Sequence, residues 1–271
     1  MSEPSKIEVF ADHLAHPEGV AIDRAGYVYT ACDCGTIYRI SPQHEVRLLT
    51  RTKGRGLGVT LNREGDLFVC DPELHAVLRI SPEGKVSTFS DHADGHSLGA
   101  PNFAVFDLDG NLYVTNSGDA LFRIRPNGRA ERFAEGFSFS NGLAMSLDEN
   151  VLFVAESNAH DVIRIEIRTD GTIGDRSVYV ENLDRTPDGL ALDALGNLYV
   201  TLHGSDRIIA VAPDGRTWTA AEDATGLLKN PSNCAFGGPD FDELYIANLG
   251  GTHIAKIFLG VRGQSLAHQL G

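Results

Sequence analysis

Several things are scarce in this sequence, and each shortage narrows the possibilities. Its 271 residues include one tryptophan, two methionines and four cysteines. The cysteines, Cys32, Cys34, Cys70 and Cys234, make no CxxC pair and no cluster with zinc spacing. They read as reduced thiols, which suits a cytoplasmic protein. A redox role for Cys32 and Cys34 is only faintly signalled. Positive charge is also short: 23 Lys and Arg stand against 37 Asp and Glu, a net charge of −14. Neither nucleic acid nor an anionic membrane is expected as a partner. No apolar run approaches the ~20 residues of a membrane span. The start, "MSEPSKIEVFADHL", lacks the basic and then apolar pattern of a leader. There is no GxSxG elbow and no phosphate-binding glycine loop between a strand and a helix.

What is present is a repeat of short strands. "YVYTA", "LFVCD", "LYVTN", "LFVAE", "LYVTL" and "LYIAN" are rich in β-branched and aromatic residues. Each follows a turn such as "DRAG", "NREG", "DLDG" or "DALG". Second strands follow, "IYRI", "VLRI", "LFRI", "VIRI" and "IIAV", and most lead into turns such as "SPEG". Ahead of each first strand stands another apolar run, and ahead of that run one anchor: Glu18, Leu57, Asn102, Asn141, Asp188 and Asn233. The anchors are 39, 45, 39, 47 and 45 residues apart. This period, with up to four strands per unit, predicts an all-β, six-bladed β-propeller with four-stranded blades. The last repeat lacks an outer strand, and residues 6–14 supply one. The N-terminal strand is therefore expected to close the last blade. No linker divides the chain, so 1–271 is expected to be a single domain. Trp218 falls in an outer strand.

Inner strands of a propeller line its central channel. The six anchors should therefore form a ring on one face. Read alone, each is a turn residue or strand cap. Read together they place two carboxylates, Glu18 and Asp188, beside the amides of Asn102, Asn141 and Asn233. Hard oxygen donors with two negative charges suit one divalent cation, Ca²⁺ first, with Mg²⁺, Mn²⁺ or Zn²⁺ as substitutes. Such an ion either plugs the channel or, with an open coordination position, acts as a Lewis acid.

At these residues the chain resembles the senescence-marker-protein, regucalcin and gluconolactonase family of calcium-dependent lactonases. The motifs are "PEG", "PN", "SNG", "PDG" and "NCAFGGPD", in that order. The resemblance implies a hydrolase that opens a small-molecule lactone or related ester. It implies Glu18, Asn141 and Asp188 as metal ligands, and Asp188 also as the group that activates water. It gives Asn102 a catalytic contact with metal or substrate, and Asn233 a peripheral place.

One departure bears on the substrate. The family pattern Arg, any residue, Asn, Asp is here Ala100-Pro101-Asn102-Phe103. Loss of the arginine and the aspartate makes this side of the site less polar, and Phe103 takes a substrate-facing place. A less hydroxylated lactone is therefore expected. Loops between the "YVYTA"-type and "IYRI"-type strands, which become the second and third strands of each blade, should rim the pocket. They carry Asp33, Asp71, Glu73, His75, Asn116, Ser117, Glu156, His160, His203 and His253. Asn116 and Ser117 are candidates for substrate contact, and His203 for a supporting or acid/base role. The insertion "SDHADGHSLGAP" is a candidate lid. Three rivals stay open. One is another reaction on the same scaffold, as in phosphotriesterases or strictosidine synthase. The others are an interaction propeller and a calcium-binding protein without turnover.

Overall fold

The structure, a computed structural model, describes residues 6–270. The ends of the expected domain, residues 1–5 and 271, lie outside that range. Strands dominate, in six sheets that are antiparallel apart from one short parallel pairing in blade 3. The inner strands begin with Pro17–Ile22, Val59–Leu61, Ala104–Phe106, Ser140–Met145, Thr186–Leu192 and Pro231–Gly237, which open blades 1 to 6. Inner strands are buried along almost their whole length. Outer strands such as Val46–Arg51 and Thr217–Glu222 are largely exposed, and the latter carries Trp218. That gradient follows from blades packing face to face around an axis.

The sixth sheet closes the ring as expected. Ile7–Ala11 pairs antiparallel with Ile254–Phe258, outside Glu243–Asn248 and Pro231–Gly237. Closure covers the edges that an open array would expose. Its contacts are apolar: Phe10 packs edge-on to Tyr245 at 4.9 Å, within a cluster that joins blades 6 and 1.

The tight turns after the inner strands are held by side chains. Asp23 Oδ1 accepts from the Ala25 and Tyr27 amides, both at 2.9 Å, and Asp193 Oδ1 does the same for Leu195 and Asn197. These Asx caps are what the "DRAG" and "DALG" signals encode.

Two segments depart from a plain propeller. The insertion of residues 91–101 is not a free lid. His92–Ala93 and His96–Ser97 form a small hairpin on the outer edge of blade 3, parallel to Ala130–Glu135. Leu98 is fully buried, and Asp94 Oδ2 accepts from the Arg132 amide at 3.1 Å. Burial of Leu98 and this pairing pin the segment at the periphery. The C-terminal tail crosses the face opposite the ring. Gln264 Nε2 donates to Met145 O at 2.7 Å, Gln269 Nε2 to Ile22 O at 3.0 Å, and Arg63 Nε to Ala267 O at 3.2 Å. The tail thereby ties blades 1, 2 and 4 and stoppers the channel. No helix among the described residues is long and apolar enough to cross a membrane.

Candidate metal centre and active site

All six anchors are buried, at the start of their inner strands. Four are followed by glycine: Gly19, Gly58, Gly142 and Gly189. A side chain at any of these would strike the next blade's backbone. At Gly19 it meets the Leu57 carbonyl, at Gly58 that of Asn102, at Gly142 that of Asp188, and at Gly189 that of Ser232. Glycine lets each inner strand press on the next and draws the anchors inward. In blade 3 the equivalent residue is Phe103. Its ring lies against Gly58 and is buried with the core of blades 3 and 4.

A belt of buried hydroxyls then fixes the anchors. Thr115 Oγ1 donates to Asn141 O at 2.6 Å, and Ser157 Oγ to Pro187 O at 2.8 Å. Thr201 Oγ1 donates to Ser232 O at 2.9 Å, and Ser232 Oγ to Glu18 O at 2.8 Å. Backbone amides complete the circuit, from Gly56 to Cys32 O and from Gly58 to Asn102 O. Every blade is thus bonded to the next within reach of the axis. Sequence reading missed these hydroxyls. Their signal was a lone Thr or Ser at or just past the end of an apolar second strand, as in "LYVTN", "FVAES" and "LYVTL".

The donor set fits a hard cation. Ser157 spends its proton on Pro187 O, so its oxygen must accept from Asn141 Nδ2, at 3.0 Å. That leaves the Asn141 Oδ1 atom as the free end of the amide. Asn102 Nδ2 donates to Ser117 Oγ at 2.8 Å and likewise keeps its carbonyl oxygen free. Asn233 differs: its Oδ1 accepts from the Cys234 amide at 2.9 Å, so it offers no uncommitted oxygen. Glu18 Oε2 is buried without a hydrogen-bond partner. An orphaned carboxylate oxygen is costly unless something positive meets it. Burial drives the Glu18 carboxyl well above its ordinary range, and the Asp188 charge adds to the effect. Burial pushes Asp188 up to about 7, moderated by the Asn141 amide. A dication between them would reverse both shifts. Among the described residues no three His, Cys, Asp or Glu side chains gather into a metal-holding group. The ring has two carboxylates, and its other free oxygens belong to amides.

Below the ring lies a small apolar chamber of about 50 Å³, lined by residues such as Val20, Val59, Phe103, Leu143 and Leu190 and stoppered by Gln264, Leu266 and Gln269. Chemistry at the ring is therefore reached from the face that carries the loops.

Most rim candidates have structural partners. His75 Nδ1 donates to Gly99 O at 2.6 Å, His160 Nδ1 to Leu183 O at 3.1 Å and His253 Nε2 to Leu227 O at 2.9 Å. His75 and His160 each staple a loop to the one that enters the next blade, and His253 staples its loop to the one that enters its own blade. Asp71 Oδ1 caps the amides of Arg55, Glu73 and Leu74, while Glu73 itself is exposed. Glu156 accepts from the Ser138 amide at 2.6 Å and from Arg176 at 3.3 Å. Asn116 Oδ1 caps the Ala120 amide at 3.1 Å. His203 is different: its Nδ1 atom is buried without a partner and lies 3.9 Å from Asp188 Oδ2. The four cysteines are free thiols. Burial pushes Cys32 up to about 12, which disfavours a reactive thiolate.

Comparison with known proteins agrees with the fold. Residues 56–249 match the model of the SMP-30/Gluconolactonase/LRE-like region. Residues 6–40 match that of the N-terminal part of strictosidine synthase-like proteins. A gluconolactonase from Zymomonas mobilis is 27% identical over 212 residues, 66% of this chain and 57% of that protein. Over that match, the chain spans little more than half of the relative's length. A gluconolactonase structure from Xanthomonas campestris superposes with a TM-score of 0.84 at 21% identity, covering 94% of this chain and 90% of that one. A calcium-binding regucalcin from Agrobacterium tumefaciens does so at 0.81 and 15% identity, covering 97% of both chains.

Proposed function

The chain belongs to the SMP-30/gluconolactonase/LRE-like family, and from that premise we propose that it is a metal-dependent lactonase. The observation that carries the reading is the buried pair Glu18 and Asp188, with an unpartnered Glu18 oxygen and the Asn141 carbonyl oxygen left free beside them. Glu18, Asn141 and Asp188 would hold a divalent cation, Ca²⁺ before Mg²⁺, Mn²⁺ or Zn²⁺, which when bound neutralises the carboxylates and polarises a lactone carbonyl. The calcium-binding regucalcin of the same fold supports the choice of ion. The named gluconolactonase relative supports the choice of reaction.

The remaining steps fall to the chain's own groups. Asp188 takes a proton from the water that attacks the carbonyl carbon. The ring C–O bond then breaks, and the alkoxide leaves with a proton returned from Asp188. Asn102, with its amide nitrogen held by Ser117, turns its oxygen toward substrate or ion. His203 stands beside Asp188, its Nδ1 atom 3.9 Å from Asp188 Oδ2. The product is an open hydroxy acid. Asn233 braces the backbone of blade 6 and does not touch the reacting atoms.

One other reading has an observation in its favour. The match of residues 6–40 to strictosidine synthase-like proteins suits a non-hydrolytic condensation on the same propeller. It covers blade 1 without the later anchors, and the hydrolytic reading uses the whole ring. The Asp188→Asn variant tests the assignment. Turnover should fall at least about 100-fold while calorimetry still detects Ca²⁺ binding. Full turnover with Ca²⁺ still bound would remove Asp188 from the role of base.

A further inference from the structure

Apart from the ring, the loop face carries a charged pair, Arg55 and Asp33, on a clamped loop beside Glu18. Arg55 lies in the segment that enters the inner strand of blade 2. Asp33 lies in the turn after the second strand of blade 1. Backbone bonds bring both to Glu18. Pro17 is paired with Cys32, and the Asp33 amide donates to His16 O at 3.2 Å. The Gly56 amide donates to Cys32 O, also at 3.2 Å. The Arg55 amide is held by Asp71 Oδ1 at 3.1 Å. Side chains are barred on both sides: at Gly54 the space is filled by the Asp71 carboxylate, and at Gly56 by the Ala31 methyl. A surface ion pair contributes little to stability, so this rigidity calls for another reason.

The pair has spare capacity. Arg55 Nε donates to Asp33 Oδ1 at 2.7 Å, and Nη2 donates to the same oxygen. Among the described residues, Arg55 Nη1 and Asp33 Oδ2 have no protein hydrogen-bond partner. The side chains are 51% and 42% exposed. A fixed donor beside a fixed acceptor is what a hydroxyl group needs, since it can accept from the guanidinium and donate to the carboxylate. Adjacent hydroxyls can engage both. Ala100 supplies no charge on blade 3, and Phe103 is buried in the core below the ring; the junction of blades 1 and 2 is where polar groups stand beside the ring.

We infer that the Arg55–Asp33 pair is the specificity element of this site and selects a lactone that carries hydroxyl groups. The inference rests on the lactonase reading for its substrate class. The charges of Asp33 and Arg55 also act on Glu18, in opposite directions, so the test must separate recognition from an effect on the ring.

The Ca²⁺-loaded full chain would be assayed on glucono-1,5-lactone and on δ-valerolactone, the same ring without hydroxyls. The variants are Arg55→Ala, Arg55→Lys and Asp33→Asn, each checked by thermal melting. Arg55→Ala should lower the ratio of the two kcat/KM values about tenfold or more, mainly through KM for the hydroxylated lactone. Arg55→Lys should restore little, because an ammonium lacks the fork. An equal loss on both lactones would assign Arg55 to the ring's electrostatics and overturn the inference. Calorimetry with gluconate against 5-hydroxyvalerate reads recognition without turnover. Selective weakening of gluconate binding in Arg55→Ala supports the inference even if no lactone is opened, an outcome that would sink only the lactonase reading. Equal binding of gluconate by wild type and Arg55→Ala would overturn it.

Discussion

Ser157→Ala probes the link between fold and site. Ser157 is buried and bonds twice: it donates to Pro187 O, next to Asp188, and accepts from Asn141 Nδ2. Alanine removes both bonds and leaves a buried carbonyl and a buried amide unpaired. Together these losses should cost about 2–4 kcal/mol. For a chain of this size that is a fall in Tm of roughly 4–16 °C. The second effect is more specific. Without the serine oxygen, Asn141 can turn its nitrogen toward the ring, and Ca²⁺ affinity should weaken about 10–100-fold. Calorimetry on chelator-stripped protein measures that affinity, and melting measures stability. Asp193→Ala is the control: it removes a buried cap on the opposite face and should lower Tm without changing affinity. If Ser157→Ala lost stability but bound Ca²⁺ as tightly as wild type, Ser157 would not be what aims the Asn141 oxygen.

Two other expectations follow from the same packing. Gly142→Ala would push a methyl group onto the Asp188 carbonyl and to 2.9 Å from Gly189 Cα; an overpacking cost of about 1–3 kcal/mol and a clear loss of Ca²⁺ affinity should appear together, and unaltered affinity would refute the argument for close approach. His268, buried in the tail, donates from Nε2 to Ile22 O at 2.9 Å, and burial holds it below the ordinary histidine range. Its unfolded form therefore binds protons first on acidification, so stability is complete above about pH 6.5 and declines as pH falls below that value. Melting across pH 5–8 checks this, and His268→Gln should flatten that part of the profile; an unchanged profile would exclude His268 as the source.

The fold was legible because its signals are periodic. Six turns, the six apolar strands that follow them and one surplus N-terminal strand define a closed ring. The anchors were legible for the same reason, since equivalent positions in a repeat converge on the axis. Four things were not legible. The hydroxyl belt joins residues of different blades, and a single threonine inside a strand does not announce its partner. Asn233 looks like Asn141 in sequence, but its oxygen turns back to the Cys234 amide. The insertion at 91–101 reads as flexible from its glycines, whereas the burial of Leu98 and the pairing with blade 3 fix it. Arg55 escaped for a related reason. It lies two residues before the one apolar anchor, Leu57, where the polar pattern is interrupted.

The most direct test strips the folded protein with chelator and follows acid release from a lactone panel, with Ca²⁺ then added back. The account expects ring opening to disappear on stripping and to return with Ca²⁺. Ring opening at the same rate in stripped, folded protein would contradict the metal-dependent mechanism. Absence of turnover on every lactone with Ca²⁺ bound would contradict the function itself and leave the ring as a structural ion site.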